Sequence, residues 1–215
     1  MNTKTFYTHR LNTYRSFISV FRSMQAYQAF FEASDFLKPD LRILDAGCGT
    51  GAATFALFNA LQNSNLNYRH WDAFDLTPAM LNHFKKELKQ REISNIQIRE
   101  ANVLHLECLP SSWKDYDLII STAMLEYLPK KYFVKALVAL RSLLRKKGRL
   151  VIAITKKNWT NWLLIEKWWK SNRYNWSELK QAFIEAGFED IQFKKFTPSY
   201  FWQNQWGYLI EARLN

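Results

Sequence analysis

The sequence predicts a doubly wound α/β domain, a mostly parallel sheet with helices on both faces, and two observations carry that expectation. Three of the six glycines, Gly47, Gly49 and Gly51, fall within five residues, directly behind the apolar run Leu41-Arg42-Ile43-Leu44 that ends in Asp45. The helix-compatible run Ala52 to Leu61 follows, so strand, glycine turn and helix adjoin as they do at the ligand-binding corner of such sheets. The second strand-like run, Tyr68 to Phe74, ends in Asp75. That acid stands about 20 to 30 residues beyond the turn, where these folds place the carboxylate that holds a ribose.

The other elements follow in order. Tyr14, Phe17, Ile18, Phe21 and Met24 recur at helical spacing, and Tyr27, Phe30, Phe31 and Phe36 lead to Lys38-Pro39, so residues 1–40 read as one or two helices. The first strand starts only near Leu41, so this aromatic face packs over something already formed, as a cover on the domain that spans 41–215. After Asp75, Thr77 suits a helix cap and Pro78 the first turn of a helix running to about Arg91, with Met80, Leu81, Phe84 and Leu88 inward. A third strand, Ile96 to Glu100, leads into Ala101-Asn102-Val103. The fourth, Tyr116 to Ser121, is apolar enough to lie mid-sheet. A helix from Lys130 to Arg145 precedes Lys147-Gly148-Arg149 and the fifth strand, Leu150 to Thr155. A Trp-rich insert, 157–176, intervenes; Ser177 then opens a helix that stops at Gly187, its expected C-cap. Two closing strands run from about Asp190 to Phe196 and from Trp206 to Arg213.

Asp45 bears on the ligand. In a dinucleotide fold the turn and the helix N-terminus receive a pyrophosphate, which an acid at the mouth of the turn would repel. Gly47, Gly49 and Ala52 nonetheless fit a relaxed G-x-G-x-x-A fingerprint, which keeps a dehydrogenase open. Asp45 suits a ligand with positive charge near the glycines, an ammonium or a sulfonium. The stretch Asp45-Ala46-Gly47-Cys48-Gly49-Thr50-Gly51 resembles the first motif of the class I S-adenosylmethionine-dependent methyltransferases, and the resemblance covers nearly everything from Leu41 onward. It implies a Rossmann-like seven-stranded mixed sheet closed by an antiparallel pair, with N-terminal helices that cover the cofactor, S-adenosylmethionine, and line the substrate pocket.

The resemblance also implies cofactor contacts from Asp45, Ala46, Gly47, Cys48, Gly49, Gly51, Asp75, Leu76, Met80, Asn102, Val103 and Ser121. Family members usually carry an Asp at the position of Asn102, reaching the adenine amino group; Asn102 keeps the oxygen acceptor and loses the charge. The run Thr122 to Pro129 sits where the family places residues facing both methyl donor and acceptor, which makes Glu126 and Tyr127 the catalytic candidates. His9, Tyr14, Met124, Trp162 and Trp169 are the candidates for acceptor binding. Exocyclic-amine methyltransferases of nucleic acid carry an Asn/Asp-Pro-Pro-aromatic motif after the fourth strand, where this chain has Ser121-Thr122-Ala123-Met124. The run is more similar to the small-molecule branch, as in quinone and phospholipid biosynthesis, although Glu126-Tyr127 replaces the His-rich pair frequent there.

Methyl transfer from a sulfonium asks a protein mainly to align two reactants and exclude water. A base is needed only for an acceptor that is protonated when it attacks. This explains the lack of a Ser-His-Asp pattern, and no metal is expected. His70, within the second strand, and His83, on a helix, read as structural; His105 follows the adenine-side loop.

Bulk properties narrow the setting. With 215 residues, 48% of them hydrophobic, the chain fits one domain with its own core. Cys48 and Cys108 give neither a disulfide framework nor a metal spacing, which points to a reduced, cytoplasmic environment. The polar start, MNTKTFYTHR, does not read as a signal peptide, and there is no 18-residue apolar run. The net charge of +11 lies entirely in residues 130–200, which hold 16 Lys and Arg against 5 Asp and Glu. Such a patch attracts nucleic acid, an anionic membrane or an acidic substrate, or serves only as a solvated helix surface. The insert, with Trp159, Trp162, Trp168 and Trp169 beside lysines, fits a pocket lid, a membrane-interface anchor or a buried element. The expectation is thus an S-adenosylmethionine-dependent methyltransferase acting on a small, partly apolar or aromatic acceptor. Its rival is a non-enzymatic RNA-binding protein, or an RNA methyltransferase, driven by the basic half.

Overall fold

The computed structural model describes residues 23–157 and 172–214. In chain order the elements are α1 (Ser23–Glu32), β1 (Leu41–Ala46), α2 (Ala52–Asn63), β2 (Tyr68–Asp75), α3 (Pro78–Gln90), β3 (Ile96–Glu100), β4 (Tyr116–Thr122), α4 (Phe133–Ser142), β5 (Leu144–Thr155), α5 (Trp176–Glu185), β6 (Asp190–Lys194) and β7 (Gly207–Arg213). The seven strands form one sheet in the order β3-β2-β1-β4-β5-β7-β6. The first five pair in parallel, while β7 runs antiparallel to both β5 and β6. The chain therefore folds as the Rossmann-like mixed sheet expected from its sequence.

Alternation along the central strands builds two cores. Ile43, Ile120 and Val151 face the layer of α1, α2 and α3, where they meet Phe30, Leu57, Leu61 and Phe84. Their neighbours Leu44, Ile119 and Ile152 face α4 and α5, where they meet Leu137, Leu140 and Phe183. Successive side chains of a strand point to opposite faces, so strands covered on both sides are apolar throughout. That is why β1 and β4 carry apolar residues on both faces, Ile43 and Leu44 in one and Leu118 to Ile120 in the other.

Three boundaries differ from the sequence reading. The helix expected from Lys130 to Arg145 is shorter: Lys130–Tyr132 form a 3₁₀ turn, and α4 ends at Ser142. The amide of Tyr116 takes the Leu143 carbonyl at 3.0 Å, and Leu144 pairs with Tyr116, so the sheet claims residues that helical periodicity assigned to the helix. β5 accordingly starts at Leu144 rather than Leu150, with the Lys147-Gly148-Arg149 segment inside it at a register shift. At α5, Asn175 caps the helix in a reciprocal box with Glu178, so the helix starts at Trp176 rather than Ser177. Gly187 closes it in the left-handed region (φ 83°), and the Phe188 amide reaches back to the Phe183 carbonyl at 3.0 Å.

The described part of the N-terminal segment is α1. It packs on α2 at the flank of the domain through Ala26, Phe30 and Phe31, with Phe36 and Phe196 completing an aromatic cluster. Tyr27 of α1 lies near the Glu126 carboxyl, whose charge adds to burial in raising its phenol pKa.

Candidate functional site

The carboxyl ends of β1, β2 and β4 and the loop after β3 converge on one cleft of about 720 Å³, measured out to its solvent mouth. Its walls include Gly47 and Gly49 from the turn after β1, Asp75 to Thr77 after β2, Met80 of α3, Ala101 to Val103 after β3, and Thr122 to Met124 after β4. Tyr127 and Leu128 complete the rim. Ligands of open α/β sheets bind at this edge, because there the loops diverge and the helix N-termini point inward.

The glycine turn is built from the backbone upward. The amides of Gly47 and Cys48 both donate to the Phe74 carbonyl, at 2.8 and 2.9 Å, which ties the turn to the end of β2. Gly47 takes φ 77°, and a Cβ there would overlap the side chain of Met124. Gly49 takes φ 53°, and a Cβ there would meet nothing within 4 Å. The space beside Gly49 is therefore open to a ligand, while the space beside Gly47 is filled by the wall after β4.

Asp75 spans the two loops. Its Oδ2 accepts from the Gly49 amide at 2.9 Å and its Oδ1 from the Thr77 amide at 2.8 Å. Burial raises its pKa, while those amide bonds pull the other way. Asn102 turns its Oδ1 to the Leu104 amide at 3.0 Å, so the oxygen that the sequence offered to an adenine amino group helps hold its own loop.

Of the residues read as cofactor contacts, Gly47, Gly49, Asp75, Leu76, Met80, Asn102 and Val103 line the cleft, whereas Asp45, Ala46, Cys48, Gly51 and Ser121 stand behind it. Asp45 is fully buried: its Oδ2 takes the Thr54 hydroxyl at 2.5 Å, and its Oδ1 is buried with no hydrogen-bond partner. Burial raises its pKa to about 7. The charge that sequence reading placed at the mouth of the turn thus lies one layer deeper, bonded to α2. Ser121 donates to the Ala46 carbonyl at 2.8 Å, a link between β4 and β1. Burial and the carboxylates of Asp45 and Asp75 push the Cys48 thiol well above its ordinary pKa, which leaves it neutral.

Met124 and Tyr127 line the cleft; Glu126, between them in a 3₁₀ turn, is buried and is not among the lining residues. Thr155, at the end of β5, donates to Glu126 Oε1 at 2.8 Å, while Oε2 is buried with no partner. Burial lifts the carboxyl to a pKa of about 7. Asn172 holds the turn in place: its amide donates to the Glu126 carbonyl at 2.7 Å, and its Nδ2 to the carbonyls of Glu126 and Leu128. Ala123, at the exit of β4, adopts φ 52°, a conformation costly for a residue with a Cβ. His9, Tyr14, Trp162 and Trp169 lie outside the described residues.

Thr155, Asn172 and Tyr27 were missed as site residues. Each reaches the Glu126 turn from a distant part of the chain, and no local pattern announces such a contact. Thr77, read only as a cap, proves to line the cleft, and its place directly behind Asp75 was the available signal.

The malonyl-[acyl-carrier protein] O-methyltransferase of a Paenibacillus species is 31% identical over 110 residues, covering 51% of this chain and 37% of that protein. The highly reducing polyketide synthase NEC1 of Pyricularia oryzae is 27% identical over 146 residues, or 66% of this chain and 5% of that protein. This chain thus spans less than half the length of the curated relatives it matches. In fold it is similar to the magnesium protoporphyrin IX methyltransferase of Synechocystis, solved with bound SAH, at a TM-score of 0.67 and 16% identity. That likeness covers 92% of this chain and 84% of the other. Residues 37–213 match the family described as a methyltransferase domain, and the chain belongs to that family.

Proposed function

We propose that the chain is an S-adenosylmethionine-dependent methyltransferase that methylates a small, partly apolar or aromatic acceptor by in-line displacement. The observation that carries the reading is Asp75, anchored by the Gly49 amide at the one glycine whose missing Cβ leaves open space in the cleft. The residues fit the cofactor: the open space at Gly49 admits its amino-acid portion, Asp75 suits the ribose hydroxyls, and Leu76, Met80 and Val103 give the adenine apolar walls. When bound, S-adenosylmethionine supplies a methyl group already activated on a sulfonium. The chain's own task is to orient and to keep water out. Tyr127, Met124 and Leu128 form the wall on the side from which an acceptor approaches.

Glu126 is the base we propose for an acceptor that carries a proton on its attacking atom. Its unpartnered Oε2 has the lone pairs to take that proton, and burial raises its pKa to about 7, where a general base works best. The acceptor class includes acyl groups carried as thioesters, since the Paenibacillus relative is named for a malonyl group on an acyl carrier protein. We place the protein in the cytoplasm, with an anionic membrane surface as a second docking site for the basic half. No helix among the described residues is long and apolar enough to cross a membrane.

Calorimetry tests the cofactor: S-adenosylmethionine should bind in the micromolar range, on the order of −7 to −8 kcal/mol, and NAD should not bind. Label from methyl-labelled S-adenosylmethionine, partitioned over fractionated cell extract, then identifies the acceptor. Label appearing in RNA would replace the small-molecule reading with the nucleic-acid one.

A further inference from the structure

Thr155 fixes the side of the sheet on which the Glu126 carboxyl lies. Val151, Ala153 and Thr155 alternate along β5, and the first two face the layer of α1, α2 and α3. The Thr155 hydroxyl therefore points into that layer, and its bond to Glu126 Oε1 holds the carboxyl there, at the cleft end of β5. α1 belongs to the same layer. Its Gln28 and Glu32 accept from Asn59 and Asn63 of α2, at 3.3 and 2.8 Å, so α1 runs alongside α2 with its first turn toward the glycine turn. Tyr27 of α1 lies partly buried against this core, its ring 5.7 Å from that of Phe196. Phe196 stands just beyond Lys194, the residue that ends β6 opposite Leu209, and Leu209 in turn pairs with Ala153. Tyr27 and Glu126 thus come together at one end of one layer, and the Glu126 charge acts on the Tyr27 phenol.

The two groups are complementary and unfilled. Glu126 Oε2 is buried without a partner, and as a carboxylate oxygen it can only accept. Among the described residues none bonds the Tyr27 hydroxyl, which is free to donate. An atom that donates and accepts at once fits between them. A hydroxyl oxygen does so and still keeps a second lone pair. An amine nitrogen has one lone pair, and giving it to Tyr27 leaves none for attack. A reacting carbon offers no lone pair to the phenol at all. The turn that carries Glu126 also walls the cleft through Met124 and Tyr127, so a group held here stands beside the cofactor site.

We propose that Tyr27 and Glu126 form the socket for the acceptor's reacting atom, and that this atom is the oxygen of a hydroxyl group. The proposal rests on the methyltransferase reading above, with Glu126 as its base. Tyr27 donates to one lone pair of the oxygen, and Glu126 Oε2 faces its proton. The second lone pair forms the bond to the methyl carbon, the carbon–sulfur bond breaks with its electron pair left on sulfur, and the hydroxyl proton passes to Glu126. Tyr27 thereby selects the acceptor, because a site built to bond a hydroxyl discriminates strongly against an analogue that lacks it.

The test compares phenol, the simplest aromatic hydroxyl, with anisole, the same ring with that hydroxyl methylated. Each is titrated into the protein with its glutamate carboxyls isotope-labelled for NMR, and Glu126→Gln assigns the Glu126 signal. Phenol should shift that signal saturably, and anisole should bind at least about tenfold more weakly, as loss of a hydrogen bond to a charged group requires. Tyr27→Phe keeps the ring on Phe196 and removes only the hydroxyl. It should weaken phenol at least about fivefold, while the thermal midpoint and the affinity for S-adenosylmethionine stay at the parent's. Methyl-labelled S-adenosylmethionine incubated with cell extract should yield a product whose methyl resonance is that of a methyl on oxygen. An equal response to phenol and anisole, no response to either, an unchanged Tyr27→Phe variant, or a methyl on nitrogen, carbon or sulfur overturns the proposal. Loss of S-adenosylmethionine binding in the parent would instead remove the methyltransferase reading, a separate result that leaves the phenol comparison to judge the socket.

Discussion

Thr155 donates its hydroxyl to one oxygen of Glu126 across 2.8 Å, and the other oxygen of that carboxyl is buried without a partner. The arrangement satisfies half of the group and leaves the other half ready to accept a proton or a hydrogen bond. A buried oxygen in this state costs about 1–3 kcal/mol, which the fold bears at the turn that also walls the cleft.

Glu126→Gln keeps the shape and removes the base. S-adenosylmethionine affinity should stay within about twofold, while turnover falls by about 10²- to 10⁴-fold. In the parent, kcat/KM should rise with pH through about 7 as the carboxylate forms, and that limb should vanish in the variant. Steady-state rates with the identified acceptor check this; unchanged turnover would leave Glu126 a structural residue of the turn, bonded to Thr155.

The same carboxyl should be visible in folding stability. Its folded pKa, about 7, lies above the ordinary 4.5, so the folded state holds its proton more tightly than the unfolded chain does. Its contribution is full below pH 4.5 and is lost as pH rises through 7. Asp45, raised to about 7 from 3.8, acts in the same direction. Urea denaturation should thus show stability falling between about pH 4.5 and 7, with Glu126→Gln removing on the order of 3 kcal/mol of that fall. A slope identical in parent and variant would contradict the assignment.

Gly47 and Gly49 should respond differently to alanine. At Gly47 the new Cβ meets Met124 as well as a positive φ, so the main effect of Gly47→Ala is lost stability, about 2 kcal/mol or more. At Gly49 only the φ is strained, a cost of about 1–2 kcal/mol, and the added methyl stands in open space at the cleft. Gly49→Ala should therefore weaken cofactor binding beyond what its stability loss explains. Thermal melts and calorimetry on both variants separate the two effects.

Asp75→Ala removes the acceptor shared by the Gly49 and Thr77 amides. Cofactor affinity should drop by about 1.5–3 kcal/mol, the range for hydrogen bonds to a charged group. Amide hydrogen exchange at Gly49 and Thr77 should quicken in the same variant. Unchanged affinity would place the ribose elsewhere.

The sheet was legible because its signals are local. The apolar runs of β1 and β4, the glycine turn and the acid after β2 each sit within a few residues, and each was found where expected. The end of α4 was not, because Leu144 scores as helix by its neighbours and joins β5 only through its pairing with Tyr116. The site divides along the same line. Gly49 and Asp75 come from a motif read in sequence. Glu126 was chosen by its place after β4, but its burial and its bond to Thr155 depend on strands brought together by the fold. Asp45 shows the reverse case: its charge was correctly noticed, yet only the packing of α2 reveals that Thr54 takes one of its oxygens.

The position of β7 has a consequence for how the molecule is made. It is the last of the seven strands in chain order, yet it pairs on one side with β5 and on the other with β6. On a ribosome, β1 to β5 can assemble as they emerge, while β6 has nothing to pair with and β5 shows an open edge until Gly207–Arg213 leaves the exit tunnel. An unpaired apolar edge is a template for intermolecular association. A stalled or clipped chain lacking those seven residues would thus leave β6 without a partner and β5 with one open edge, and should accumulate in the insoluble fraction.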